Sequence, residues 1–200
     1  MSHESTLRGL MGLGDIPAPL ADSALVMIDC QNTYRRGIMQ LTGVEAAVSE
    51  ASDLLARARR AGSPIIHVMH DAGEGSPYDV RAEVGQISDE VAPRNGEPVI
   101  VKNFPNAFVG TDLLNQLRDL APAQDLVFAG FMTHMCVNST VRGAFSNGFR
   151  PAVVASATAT RDLPGSNGST VPADAVQQAS LASLNDLFSV VVDSPSSFTR

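Results

Sequence analysis

Short, almost uninterrupted apolar runs recur along this chain and alternate with longer amphipathic segments. The run SALVMIDC is typical of a strand buried on both faces, and further runs of this kind are SPIIHVMH, PVIVKN, DLVFAGF, RPAVVASA and SVVVDS. The segment GVEAAVSEASDLLARARRAG places its apolar residues at three- and four-residue spacings, which predicts a helix that stops at Gly62. Three more helices are predicted over TDLLNQLRDL, HMCVNSTVRGAFSNG and VPADAVQQASLASLNDLF.

Strands that alternate with helices predict an α/β fold. We expect a three-layer α/β/α sandwich with a mostly parallel, Rossmann-like sheet of six strands. Residues 22–200 would form a single domain, and residues 1–21 an N-terminal arm that packs on the domain or on a neighbouring molecule. Two polar stretches interrupted by Gly and Pro, residues 71–97 and 159–170, are predicted loops. The first is long enough to suggest a function.

Composition and charge narrow the possible functions. The chain has 200 residues, of which 44% are hydrophobic and 18% charged, as in globular proteins. A net charge of −7 without a basic run argues against nucleic acid and anionic membranes as partners. The opening residues lack the pattern of a secretory signal, and no apolar run reaches the roughly 18 residues of a membrane span. We therefore expect a cytoplasmic protein with a small-molecule partner.

Three residues from distant parts of the chain are expected at one edge of the sheet, where such folds bind ligands. Asp29 ends the first strand, Lys102 ends the third, and Cys136 begins the helix after the fourth. A cysteine at a helix N-terminus beside an ammonium group has its pKa lowered to roughly 3.5–7.5. A carboxylate beside it can take the thiol proton and return it to a leaving amine, so this set predicts nucleophilic catalysis.

Each of the three residues has a simpler interpretation when it is taken alone. Cys136 would be a small core residue, Lys102 a solvated charge at a strand end, and Asp29 a cap or turn residue. Three unrelated explanations at one edge are less economical than one site. The second thiol, Cys30, directly follows Asp29, so strand alternation places it on the opposite face as a buried filler.

Over nearly its whole length, from about residue 22, the chain resembles the isochorismatase-like superfamily of cysteine hydrolases. The resemblance is carried by ALVMIDCQN, VIVKNFPNAFVGTDL, LVFAGFMTHMCVNSTVRGAF and VVASATAT, in this order. It implies that Asp29, Lys102 and Cys136 form a catalytic triad. It also implies a cis peptide between Phe131 and Met132, and an oxyanion hole made by the backbone N–H groups of Met132 and Cys136.

The resemblance also favours one branch of the superfamily. Members named for isochorismate cleave a vinyl ether and typically lack the nucleophilic cysteine, which this chain keeps. Hydrolysis of a small amide, carbamoyl or ureido compound through a thioester is therefore expected, with vinyl-ether hydrolysis as the alternative. Nicotinamidases of this branch hold a metal with an Asp-x-His motif, which HVMHDAGEGS lacks. His67 and His70 would point to opposite faces of a strand, so we expect neither a metal nor another cofactor.

Six residues are expected to line the substrate pocket: Gln31, Tyr34, His70, Phe104, Phe108 and Thr133. Tyr34 would form an aromatic wall or simply pack. Gln31 would hold Asp29 or Lys102 in position, or satisfy a chain turn. The two phenylalanines would form a pocket wall or the underside of a loop, and Thr133 would hydrogen-bond inside its turn.

Three arginines and the quaternary structure complete these expectations. Arg35, Arg36 and Arg161 are candidates to meet a substrate carboxylate, although surface arginines are the commoner case. His67 is expected in the core. Relatives in this superfamily usually assemble as dimers or larger, so we expect a homo-oligomer, in which the 71–97 loop could complete a neighbour's pocket.

Other classes of function are less favoured. A Rossmann nucleotide-binding protein needs G-x-G-x-x-G after its first strand, whereas the glycines of GLMGLGD precede that strand. A serine hydrolase would carry G-x-S-x-G, which does not occur in the sequence. The intact Asp29, Lys102 and Cys136 argue against a catalytically silent member that acts in binding or assembly. The sequence does not identify the substrate.

Overall fold

The structure of the protein, a computed structural model, describes residues 6–120 and 124–198. These ranges contain eight strands: β1 (Ser23–Ile28), β2 (Ile65–His70), β3 (Val99–Lys102), β4 (Asp125–Phe131), β5 (Arg150–Ala159), β6 (Leu163–Pro164), β7 (Thr170–Val171) and β8 (Val190–Val192). Six of them form one sheet in the order β3-β2-β1-β4-β5-β8, and all neighbours in it are parallel. The remaining two, β6 and β7, form a separate antiparallel pair.

Helices cover both faces of this sheet. They are α1 (Leu7–Leu10), α2 (Val44–Ala61), α3 (Leu113–Leu120), α4 (Asn138–Ser146) and α5 (Ala173–Leu187). One core cluster packs α2 against one face, and a second packs α3, α4 and α5 against the other. The predicted three-layer α/β/α sandwich is therefore confirmed. Within the described ranges, no helix is long and apolar enough to cross a membrane.

The apolar patterns explain why these elements form. In β1, Leu25 and Met27 face α2, whereas Val26 faces the opposite cluster, so the strand is buried throughout, as its continuous apolar run predicts. The buried side of α2 consists of residues at three- and four-residue spacings: Val44, Ala47, Val48, Ala51, Leu54, Leu55 and Ala58. The helix ends at Gly62, whose φ of 75° is the left-handed conformation that favours glycine.

The connections contain more structure than their sequences predict. The helix expected over HMCVNSTVRGAFSNG begins as a π-helical turn, Thr133–Val137, before α4. The second predicted loop contains the β6–β7 pair. Short 3-10 turns also occur at Leu20–Asp22, Asn32–Tyr34, Gly37–Met39, Glu83–Gly85, Asp89–Val91 and Pro195–Ser197, two of them within the 71–97 loop.

The N-terminal arm packs on its own domain where the structure describes it. The backbone N–H of Leu7 donates to Asp186 Oδ1 at 3.1 Å, and Arg8 Nη1 donates to Leu187 O at 3.3 Å. Both acceptors belong to α5, so of the two expectations for the arm, packing on the domain is the one observed. Residues 1–5 of the predicted arm and the last two residues of the predicted domain lie outside the described ranges.

Candidate active site

Asp29, Lys102 and Cys136 meet at the carboxyl edge of the sheet. Asp29 follows β1, Lys102 is the last residue of β3, and Cys136 lies in the π-helical turn after β4. Lys102 Nζ lies 2.7 Å from Asp29 Oδ2 and donates to Cys136 Sγ at 3.3 Å. Asp29 and Lys102 are completely buried, and Cys136 keeps 5% of its surface exposed. The juxtaposition expected from parallel strand ends is therefore present.

The backbone around these residues leaves the strands by unusual conformations. Asp29 has a φ of 47°, in the left-handed region that aspartate tolerates better than most residues. Its N–H still donates to Val68 O at 2.9 Å, which keeps the carboxylate close to the sheet. The peptide between Phe131 and Met132 is cis, as the resemblance implied. At this point β4 ends and the turn that carries Cys136 begins.

The electrostatics of the thiol differ from the expectation of a low pKa. Burial, and next the charge of Asp29, raise the pKa of Cys136 to about 12, although Lys102 opposes this shift. Burial also raises the pKa of Asp29, and Lys102 again acts in the opposite direction. The prediction of a resting thiolate is therefore wrong, because a thiolate beside an ionised Asp29 would place two negative charges against one buried ammonium.

The second cysteine occupies the opposite face, as strand alternation predicts. Cys30 belongs to the core cluster under α2, whereas Cys136 belongs to the cluster under α3, α4 and α5. Burial raises the pKa of the Cys30 thiol, and the neighbouring charge of Asp29 adds to the effect. Cys30 therefore packs as a core residue away from the candidate site.

The two histidines of β2 have separate environments. His70 is half-buried, and its Nδ1 lies 3.3 Å from Lys102 Nζ. Burial and then the charge of Lys102 lower the pKa of His70, so the imidazole is neutral near pH 7. His67 is buried on the other face, where its Nε2 lies 3.1 Å from Glu97. In residues 6–120 and 124–198, no three His, Cys, Asp or Glu side chains are grouped to hold a metal ion.

An aromatic cluster flanks the triad. Tyr34 is buried, and its ring meets those of Phe131 and Tyr78 edge to face, with centroids 5.8 and 5.7 Å apart. Tyr78 also meets the ring of His70 edge to face at 5.2 Å. Burial, followed by the charge of Asp29, raises the pKa of Tyr34 well above its ordinary value. Both interpretations of Tyr34 are therefore partly met, since it packs in the core and also borders the triad.

Gln31 has a structural position rather than a place in a pocket. It is completely buried, and its Nε2 donates to His70 O and Gly85 O at 2.9 and 2.6 Å. Its Oε1 accepts the N–H of His70 at 2.8 Å. The amide therefore ties the 71–97 loop to β2, and it contacts substrate only if these bonds break. This corrects its assignment as a substrate-binding residue.

Three other expected pocket residues have different degrees of burial. Thr133 is completely buried, yet its Oγ1 has no hydrogen-bond partner among the described residues, so the bond expected inside the turn is absent there. Phe108 is partly buried, packs against the core cluster under α3, α4 and α5, and stacks on Phe149 with centroids 6.4 Å apart, so it forms the underside of its loop, one of the two predicted alternatives. Phe104 is 55% exposed, and therefore forms no buried wall.

Two residues near the thiol were missed by sequence reasoning. Tyr78 comes from the long 71–97 loop, and His134 lies two residues before Cys136, where its Nδ1 is 2.6 Å from Thr160 Oγ1. The available signals were weak: Tyr78 is one of two tyrosines in the chain, and His134 is one of four histidines. The rarity of these residue types does not indicate which loop folds back over the strand ends.

A large surface cavity lies away from the triad. Its volume is about 960 Å³, and its lining includes Arg35, Arg36, Met69 and Val99 but no member of the triad. Both arginines are already neutralised, Arg35 by Glu45 and Glu90, and Arg36 by Glu83. Arg35 and Arg36, expected as candidates to meet a substrate carboxylate, therefore already lie in ion pairs, and they line this cavity rather than the triad.

Comparison with known proteins gives consistent matches. A family model described as Isochorismatase domain matches residues 23–196. The chain is 32% identical to the secreted isochorismatase effector Isc1 of Verticillium dahliae, over 95% of this chain and 97% of that protein. It is 31% identical to a maleamate amidohydrolase of Pseudomonas putida, over 66% and 69%. The crystal structure of an isochorismatase from Pseudomonas putida KT2440 matches with a TM-score of 0.92 and 38% identity, over 98% and 99%.

Proposed function

This chain belongs to the isochorismatase family of hydrolases, and we propose that it hydrolyses a small amide, carbamoyl or ureido compound with Cys136 as the nucleophile. The observation that carries the proposal is the position of Lys102, whose ammonium lies 2.7 Å from the Asp29 carboxylate and 3.3 Å from the Cys136 thiol. The maleamate amidohydrolase relative supports cleavage of a C–N bond as the reaction class.

The first step is transfer of the thiol proton to Asp29. With Asp29 ionised and Lys102 protonated, the triad is neutral, and loss of the proton to solvent would leave a net negative charge in a buried site. Transfer to Asp29 keeps the triad neutral, since the protonated acid and the thiolate–ammonium pair replace the carboxylate–ammonium pair. The raised pKa of Asp29 favours it as the acceptor. The high resting pKa of Cys136 is thus compatible with nucleophilic attack.

Acyl transfer follows once the thiol proton is on Asp29. The thiolate attacks the amide carbon and forms a C–S bond, and the N–H groups of Met132 and Cys136 stabilise the oxyanion, a contribution of roughly 3–4 kcal/mol per donor. Asp29 returns its proton to the leaving nitrogen as the C–N bond breaks, which leaves a thioester. Water then gives a proton to Asp29 and attacks the thioester carbon. As the C–S bond breaks, the proton returns to the sulfur.

Replacing the thiol tests this mechanism. The Cys136→Ala protein should release ammonia from a panel of small carboxamides and ureido acids at least about 10⁴-fold more slowly than the native protein. The matched control is Cys30→Ala, which removes the thiol on the other face and should keep turnover. Mass spectrometry of the native protein quenched during turnover should show the acyl group on the peptide containing Cys136. Normal amide turnover by the alanine variant would refute the covalent mechanism.

A second candidate is vinyl-ether hydrolysis, which the relative named as an isochorismatase effector favours. In that reaction Asp29, whose pKa burial raises, would protonate the substrate without any covalent bond to sulfur. The same pair of cysteine variants separates the two candidates. Isochorismate cleavage that persists in Cys136→Ala, together with no amide turnover by the native protein, would establish the second.

A further inference from the structure

His70 and Lys102 are neighbours across two parallel strands. His70 is the last residue of β2 and pairs with Lys102, the last residue of β3. Partner residues on adjacent strands point to the same face of the sheet. This is the face that carries Cys136, because Val68 and Ile100, two residues earlier in each strand, belong to the same core cluster as Cys136. The pairing of β2 with β3 therefore brings the imidazole to the ammonium group of the triad.

The main chain and the ring of His70 are both held in place. Its backbone N–H donates to Gln31 Oε1 at 2.8 Å, and its C=O accepts from Gln31 Nε2 at 2.9 Å. Gln31 is itself completely buried. The ring of Tyr78 meets the imidazole edge to face, with centroids 5.2 Å apart. These contacts keep the imidazole beside Lys102.

The ammonium of Lys102 is surrounded by three acceptors. Asp29 Oδ2 lies 2.7 Å from Nζ, and Cys136 Sγ and His70 Nδ1 each lie 3.3 Å from it. A lysine ammonium has three N–H donors and no acceptor. Lys102 is completely buried, so any donor left without a partner is costly. His70 Nδ1 therefore supplies the third acceptor that this buried group needs.

This geometry defines the protonation state of His70. Because Lys102 can only donate, Nδ1 must accept, so the proton of the neutral imidazole is on Nε2. Burial and then the charge of Lys102 lower the pKa of His70, whereas Asp29 and Asp71 act in the opposite direction. A protonated imidazole would place a second donor and a second positive charge against the ammonium. Only the neutral ring can therefore serve as the acceptor.

We propose that His70 is a positioning residue, whose Nδ1 holds the Lys102 ammonium between Asp29 and Cys136 Sγ. This inference rests on the proposed amide hydrolysis for its effect on turnover, but not for the hydrogen bond itself. A thiol sulfur is a weak acceptor, so it is the first partner that the ammonium loses when it turns to replace a missing one. The thiolate that attacks the substrate then forms without its counter-charge. His70 accordingly acts through Lys102, which differs from the substrate contact expected from the sequence.

Two replacements of nearly equal size test this role. His70→Asn keeps an acceptor, because its δ oxygen takes the place of Nδ1, whereas His70→Leu has none. In a Cys30→Ala background, iodoacetamide should label Cys136 about 10- to 100-fold more slowly in His70→Leu than in His70→Asn at the same pH, since a hydrogen bond to a charged group is lost. With the panel of small amides, kcat should fall to a similar extent in the leucine variant while KM stays nearly unchanged, and asparagine should restore it.

The hydrogen bond can also be observed without a substrate and without a substitution in the triad. Long-range proton–nitrogen correlation NMR distinguishes the two neutral tautomers of histidine from the charged ring. At pH 7, the ring of His70 in the native protein should be neutral, with its proton on Nε2. Its signal is identified by its absence from the spectrum of His70→Asn.

The outcomes separate this role from the proposed reaction. A proton on Nδ1, or a charged ring, in the native spectrum would refute the hydrogen bond whether or not the variants fold. Equal labelling of Cys136 in the two variants, both shown to be folded by circular dichroism, would refute the positioning role. If labelling differs as expected but the native protein hydrolyses none of the panel, the role of His70 stands and amide hydrolysis fails. If the native protein hydrolyses amides and both variants do so equally fast, hydrolysis stands and the positioning role fails.

Discussion

Replacing Asp29 by asparagine should make Cys136 more acidic while it stops catalysis. Lys102 Nζ lies 2.7 Å from Asp29 Oδ2 and 3.3 Å from Cys136 Sγ, so the carboxylate and the sulfur are at most about 6 Å apart. At that separation, with an effective dielectric constant of about 20, two negative charges repel by about 3 kcal/mol, or about two pKa units. Removing the carboxylate should therefore lower the pKa of Cys136 from about 12 to about 10 or below.

The direction of this change in the pKa of Cys136 follows from the net charge of the triad. In the native triad, ionisation of the thiol changes the net charge from zero to −1, whereas in the variant it changes the charge from +1 to zero. The thiolate is thus easier to form in Asp29→Asn, yet the group that takes and returns protons is lost. If Cys136 is more ionised in Asp29→Asn and turnover is nevertheless lost, the role of Asp29 as a base is separated from the effect of its negative charge on the thiol.

The pKa can be measured from the ultraviolet absorbance of the thiolate, and from the pH dependence of iodoacetamide labelling, in a Cys30→Ala background. Asp119→Asn, at an exposed position of α3, is the control and should leave the titration of Cys136 unchanged. A pKa in Asp29→Asn equal to or above the native value would refute the reasoning. A native pKa already below 7 would do the same, since it would mean that the carboxylate does not oppose the thiolate.

Three other predictions concern stability, measured by urea unfolding. Lys102→Met should cost about 3–5 kcal/mol, because the buried Asp29 loses its counter-charge; an unchanged midpoint would mean that the pair is not buried. Chiefly through its bond to an arginine, Glu97 has a pKa lowered to about 2, so Glu97→Gln should cost about 3 kcal/mol at pH 7. That difference should shrink as the pH falls from about 4.5 towards 2, and a pH-independent difference would contradict the shift. Gly130→Ala would place a Cβ 1.9 Å from a backbone oxygen of β1 and should lower the free energy of unfolding by at least about 3 kcal/mol. The control Gly148→Ala, where φ is also positive but the space is open, should cost about 1 kcal/mol. Equal costs would rule out the clash.

The main elements could be predicted because their signals are local. Continuous apolar runs identify strands buried on both faces, and Gly62 marks the end of α2 since only glycine takes a positive φ without strain. The meeting of Asp29, Lys102 and Cys136 could also be predicted, because parallel strands send their carboxyl ends to one edge. A strand order and three strand-end positions are enough for that inference.

The positions of the residues around the triad depend on how deeply each side chain is buried and on the course of the loops. Neither has a local signal in the sequence. Phe108 and Thr133 were expected in the pocket, but Phe108 is partly buried against the core cluster under α3, α4 and α5, and Thr133 is completely buried. Tyr78 reaches the triad only because the 71–97 loop folds back, held by the buried amide of Gln31. No periodicity in the sequence encodes a contact between residues this far apart along the chain.

The amino-acid sequence by itself determined the α/β sandwich, the edge of the sheet that carries the site, and the three residues that meet there, since each follows from short-range patterns and the geometry of parallel strands. Only the tertiary structure decided how those residues are charged. Burial and the distance between Asp29 and Cys136 set the thiol pKa. Arg35 and Arg36 lie in ion pairs with glutamates, whereas Arg161 Nε has no hydrogen-bond partner among residues 6–120 and 124–198. Electrostatic energies depend on separation and solvent exposure, and neither is defined until the chain has folded.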